Sequence, residues 1–110
     1  MKKEVIKENG FLFAKISDKE FKKLNSINFD RMSISYDEID RVKEILNVTD
    51  NDDLEYVRAI RNSVVKYYAD RKRECIDNKE MHGTYYLELI DEYQTKMSTI
   101  TCALDTILEF

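Results

Sequence analysis

The chain has 110 residues, with 18 Lys+Arg against 22 Asp+Glu, 43% hydrophobic residues, two Gly, two Cys, one His and neither Pro nor Trp. That size suits one domain with a modest core, spanning 1–110, with residues 1–34 and 35–110 as its two parts. Apolar content and a net charge of only −4 exclude intrinsic disorder, the scarcity of Gly and Pro excludes collagen-like and linker classes, and two cysteines are too few for a disulfide scaffold.

Residues 3–16 predict a β-hairpin. Asn9-Gly10 suits a type I′ turn, which needs positive φ at both central positions. A two-residue loop pairs Glu8 with Phe11, Ile6 with Phe13 and Glu4 with Lys15 on one face. The other face pairs Lys7 with Leu12, Val5 with Ala14 and Lys3 with Ile16. The face with Ile6, Phe11 and Phe13 is expected to meet the core. Ser17-Asp18-Lys19-Glu20 is a capping box opening a short helix to about Asn25, with Phe21 and Leu24 inward. Weak alternation over 26–34 leaves room for a third strand.

Ser35-Tyr36-Asp37-Glu38 is a second capping box. Its helix runs to about Asn47, with Ile39, Val42, Ile45 and Leu46 on one side and Asp37, Asp40 and Glu44 on the other. The acidic run at 50–53 is expected to cap a long helix from about Asp52 to Asp77. Residues 78–83 break the pattern, and Thr84 is a plausible N-cap for the last helix. There Tyr86, Ile90, Tyr93, Met97, Ile100, Leu104 and Ile107 step alternately by four and three, a heptad seam. A short loop between two long helices makes them antiparallel neighbours. The predicted fold is therefore α+β: an N-terminal hairpin and two short helices packed on a long C-terminal antiparallel helical hairpin.

Charge alternates along the chain. Residues 1–25 carry 7 basic and 4 acidic residues, 26–53 carry 3 and 8, 54–83 carry 7 and 5, and 84–110 carry 1 and 5. Two surfaces stand out. Tyr67, Arg71, Lys72, Arg73 and Tyr85 form a basic, aromatic patch, which reads as core plus solvated face, as a protein-binding surface of the composition enriched at interface hot spots, or as a contact for single-stranded nucleic acid. Arg71 falls within the apolar stripe of its helix, so it either makes a structural ion pair, with Asp91 as its level partner across the hairpin, or stays open at a binding surface. Asp37, Asp40 and Glu44 form an acidic stripe, which serves either as a solvated face or as a mimic of nucleic-acid phosphates.

Nothing in the sequence argues for an enzyme, a metal site or a cofactor. Gly10 and Gly83 alone cannot build a phosphate loop, and the single His82 has no metal-ligand spacing around it. With the hairpin folding about Met81, Cys75 and Cys102 are roughly 22 Å apart at ~1.5 Å per residue, too far for a disulfide. Cys75 is expected in the core and Cys102 as a free thiol. Glu4, Lys7 and Glu8 interrupt any export signal after Lys2-Lys3, and the longest apolar run is Phe11–Ala14, against ~20 residues for a membrane span. A cytoplasmic chain without membrane contact is expected. Lys, Ile, Asn, Tyr and Phe make 42 residues while Gly, Ala and Pro make six, which points to AT-rich coding, as in a low-GC bacterium or its phage.

The segment Phe11–Leu24 resembles the strand-to-first-helix segment of ribbon-helix-helix repressors. The resemblance covers about fourteen residues and implies that Lys15 would read the major groove. The Asn9-Gly10 hairpin before it and residues 25–34 after it depart from that pattern. The leading functional expectation is a non-enzymatic protein-binding module, a small regulator or inhibitor from a phage or mobile element. It would act by covering a partner's working surface, for example that of a host defence nuclease, with a homodimer through the heptad seam as a further expectation. The alternative is a nucleic-acid-binding transcriptional regulator using Lys15, Arg58, Arg61, Lys72 and Arg73.

Overall fold

The computed structural model describes residues 2–27 and 35–108. Strands β1 (Val5–Glu8) and β2 (Phe11–Ala14) form an antiparallel hairpin. Helices α1 (Asp18–Asn25), α2 (Tyr36–Leu46), α3 (Leu54–Asp77), the single turn α4 (Lys79–His82) and α5 (Tyr85–Leu108) follow. The fold is α+β, with the long helices α3 and α5 packed side by side. The predicted third strand over 26–34 lies outside the described residues for 28–34.

The hairpin has the predicted register, Glu8 with Phe11 through Val5 with Ala14. Asn9 at φ 50° and Gly10 at φ 84° supply the two positive φ values of the type I′ turn. Glu4 and Lys15 form the expected ion pair at 2.9 Å. The buried face, however, is the opposite of the predicted one. Ala14 is buried and Leu12 and Ile16 pack on the core, while Phe11 is 62% exposed.

The reason lies in how α3 meets the sheet. The Lys15 N–H donates to Glu4 C=O, so the alternate residues Leu12 and Ala14 direct their backbone groups away from β1. Asn62 Nδ2 donates to Leu12 C=O at 2.9 Å. Ser63 Oγ accepts from Ala14 N–H at 2.8 Å and donates to Ala14 C=O at 2.7 Å. Helix α3 thus closes the open edge of β2 with side chains, and the small Ala14 allows that approach.

Both capping boxes form. Ser17 and Glu20 close α1 reciprocally, as Ser35 and Glu38 close α2. Asn47 ends α2 in the left-handed region at φ 54°. The acidic run before α3 acts differently from expectation. Asp53 makes no side-chain cap, and Asp52 instead accepts from Thr49 N–H at 2.7 Å and pairs with Lys2 at 2.7 Å. Burial raises the Asp52 carboxyl pKa, but the Lys2 and Thr49 donors outweigh it, and the net shift is downward.

One core joins all parts. Phe21, Leu24, Val42, Leu46, Val57, Ile60, Val64, Tyr68, Ile100, Leu104 and Ile107 are buried together. The seam residues Ile100, Leu104 and Ile107 thus lie inside this one chain, while Tyr93 and Met97 are half-buried at its margin. Burying a Leu or Ile side chain contributes about 1.5–3 kcal/mol. Lys3, whose side chain is 9% exposed, ties the N-terminus to this core through Leu46 C=O at 2.7 Å and Glu20 at 2.6 Å. Its position next to the last carbonyls of α2 suits a cation.

Cross-helix pairs fix the register of α3 and α5. Arg61 meets Asp105 at 2.6 Å and Lys72 meets Gln94 at 2.6 Å. Both pairs are symmetric about Gly83, not Met81. The extra turn α4 carries the chain further before Gly83, at φ 60°, lets it reverse.

Candidate functional site

The aromatic part of the predicted patch is built on α3 and α1. Phe21 is buried because it lies one turn beyond the Ser17 cap on the inner face of α1. Its ring stacks on Tyr67 at 3.7 Å, with planes 7° apart. The Arg71 guanidinium lies 5.2 Å from the Tyr67 ring centroid, giving a Phe21–Tyr67–Arg71 assembly. Tyr68, fully buried, donates its hydroxyl to Asn25 Oδ1 at 2.6 Å, and Asn25 Nδ2 donates to Tyr67 Oη at 3.4 Å. Lys96 Nζ donates to Asn25 C=O at 2.8 Å and pairs with Glu92 at 2.8 Å. Burial drives the Tyr68 phenol far above its ordinary range, and burial likewise raises Tyr93. Tyr68 is therefore a bracing element of the core, and the half-buried Tyr67 braces as much as it offers surface.

Arg71 does not sit level with Asp91. The register about Gly83 puts it level with Thr95, and its ion pair is with Glu74, one turn along its own helix, at 3.0 Å. The Arg71 Nε is buried without a hydrogen-bond partner, because stacking on Tyr67 and pairing through one terminal nitrogen turn it inward. Lys72 points toward α5 and donates to Gln94. Arg73 is exposed and stands about 200° around the helix from Arg71 at 100° per residue. The structure thus brings Tyr67 and Arg71 together and places Lys72 and Arg73 on other sides of α3.

Tyr85 belongs to a different cluster. The core ends at Tyr68 on α3 and at Tyr93 on α5. From Tyr68 to Asp77 the helix continues for nine residues, about 14 Å at 1.5 Å per residue. On that projecting tip Ile76 is 52%, Met81 85%, Tyr85 55% and Leu87 59% exposed. Cys75 is buried there.

Asp37, Asp40 and Glu44 share one exposed stripe of α2 as expected. They border a groove of about 600 Å³ together with Lys23, Arg41 and Ile45, so two cations interrupt the acidic surface. Of the residues expected to contact nucleic acid, Lys15 pairs with Glu4, Arg61 with Asp105 and Lys72 with Gln94. Arg58 and Arg73 are exposed fifteen residues apart on α3.

A second cavity, of about 460 Å³, lies between the hairpin, α1 and α3. Ile6 and Phe13 form its hairpin wall, and Phe21, Lys66, Tyr67 and Asp70 line its helical side. Of the residues lining this groove, Tyr67 and Lys15 stand out in the sequence as candidate contacts. The available signal is the alternation of Ile6, Phe11 and Phe13, which marks an apolar face in need of a neighbour.

Cys75 is buried and Cys102 exposed, both as free thiols. Among the described residues no group of three or more His, Cys, Asp and Glu could hold a metal ion, and no helix is long and apolar enough to cross a membrane. No protein-family model matches the chain, and no curated protein or solved structure matches it.

Proposed function

We propose that this chain is a non-enzymatic protein-interaction module that docks through the projecting tip of its helical hairpin and occludes a partner's working surface. The observation that carries the reading is the concentration of Ile76, Met81, Tyr85 and Leu87, each more than half exposed, around the end of paired helices that extend past the core. Single exposed apolar residues are ordinary, but four large apolar side chains exposed around one projecting end of the fold mark a docking feature. Arg73 beside it and the Tyr67–Arg71 pair at its base favour a partner with an apolar pocket and an acidic rim. A small inhibitor from a phage or mobile element fits this mode of action.

The test is capture from host lysate by the wild type and by a Met81→Asp/Leu87→Asp double variant. The double variant keeps its fold, since both side chains face water, and loses the captured partner. Equal capture by both proteins overturns the tip as the contact surface. Light scattering over a concentration series reads self-association directly. A dimer that the double variant abolishes makes a second copy the occupant of the tip.

A further inference from the structure

The cavity between the hairpin and α3 has the make-up of a ligand site independent of the tip. Its volume of about 460 Å³ falls within the range of small-molecule pockets. Its apolar walls are Ile6 and Phe13 on the sheet and Phe21 and Tyr67 on the helices, with Ser63 and four charged side chains between them. The two aromatic residues on the helical side are held rigidly, because Phe21 and Tyr67 stack at 3.7 Å.

Glu8, Lys15, Lys66 and Asp70 are the charged residues that line this cavity. Lys66 lies 5.2 Å above the Phe13 ring and 3.8 Å from Glu8. Lys15 is paired with Glu4 at 2.9 Å. Each cation at the rim therefore has its own carboxylate. Asp70, half-buried on α3, has no hydrogen-bond or ion-pair partner among the described residues. A half-buried carboxylate without a partner, one turn from a Lys66 that is turned toward Glu8, is complementary to a cation attached to an apolar body.

We infer that this groove binds a small arylalkyl ammonium ligand, with its ring against Ile6, Phe13, Phe21 and Tyr67 and its ammonium on the Asp70 carboxylate. A neutral ligand of the same shape leaves Asp70 unpaired, and an anionic one meets it as a like charge. Selectivity therefore follows charge at constant shape.

The experiment is an amide chemical-shift titration of the full chain with phenethylammonium, 2-phenylethanol and 3-phenylpropionate. Phenethylammonium is expected to bind with a dissociation constant on the order of 1 mM, to move the amides of Phe13, Ser63, Lys66, Tyr67 and Asp70, and to bind about tenfold more tightly than the alcohol. Asp70→Asn brings the ammonium to the level of the alcohol, and Phe13→Ala weakens both while thermal melting confirms that each variant is folded. Equal binding of ammonium and alcohol, insensitivity to Asp70→Asn, or shifts confined to other surfaces overturns the assignment. The capped dipeptide Ac-Phe-Arg-NH2 binding tenfold more tightly than phenethylammonium also overturns it, in favour of a peptide occupant. Tip variants leave this titration unchanged, so its failure is distinct from failure of the docking reading.

Discussion

Replacing Ser63 by Ala removes the side chain that closes the edge of β2. The Ser63 hydroxyl accepts from Ala14 N–H at 2.8 Å and donates to Ala14 C=O at 2.7 Å. Ala14 is 5% exposed, so water reaches those backbone groups poorly once the hydroxyl is gone. Each hydrogen bond contributes about 1 kcal/mol net, and an unsatisfied buried group costs about 1–3 kcal/mol. The expected loss is therefore about 2–3 kcal/mol. For a chain of this size that corresponds to a melting temperature lower by roughly 10 °C and a urea midpoint lower by about 1–2 M. Urea denaturation measures the loss, and hydrogen exchange at the Ala14 amide locates it. Ser63→Thr keeps a hydroxyl and recovers part of the stability. A Ser63→Ala variant within about 0.5 kcal/mol of wild type, with Ala14 exchange unchanged, refutes the idea that helix side chains close this sheet edge.

Three further outcomes follow from buried or partnered groups. Lys3→Met strands Leu46 C=O and Glu20 and is expected to cost about 2–3 kcal/mol by chemical denaturation. Tyr68 has its pKa raised by burial from an ordinary 10.0. The unfolded state thus releases its proton first: stability is full below pH 10 and falls above it by about 1.4 kcal/mol per pH unit, a slope that denaturation at pH 9, 10 and 11 reads and that Tyr68→Phe reduces. Under native conditions Ellman's reagent titrates one fast thiol, Cys102, while Cys75 reacts only on unfolding; two fast equivalents contradict the burial of Cys75.

Local chemistry was the most legible part of the fold. Asn9-Gly10, Ser17 with Glu20 and Ser35 with Glu38 each satisfy their own backbone groups within four residues, so their turns and caps follow from sequence. The inward residues of α1, α2, α3 and α5 follow from helical spacing. What sequence could not supply was the direction from which one element approaches another. Both hairpin faces carry apolar residues, and the choice of Leu12, Ala14 and Ile16 as the inner set depends on Ser63 and Asn62, some fifty positions away. The partner of Arg71 depended on where the helical hairpin reverses, and the turn α4 moved that point to Gly83. The groove at Asp70 was illegible for a related reason. Asp70 reads as an ordinary polar residue of α3, and only the docking of the hairpin places Ile6 and Phe13 beside it.

The closed edge of β2 leaves β1 as the one free border of the sheet among the described residues. Its outward backbone groups belong to Val5 and Lys7. If two molecules met there strand to strand, centring on Ile6 would set Glu4 against Glu8, and centring on Val5 would set Lys3 against Lys7. Either alignment opposes like charges, and a border four residues long offers few rungs to offset them. Edge-to-edge extension of the sheet is thus opposed on one flank by a helix and on the other by like charges.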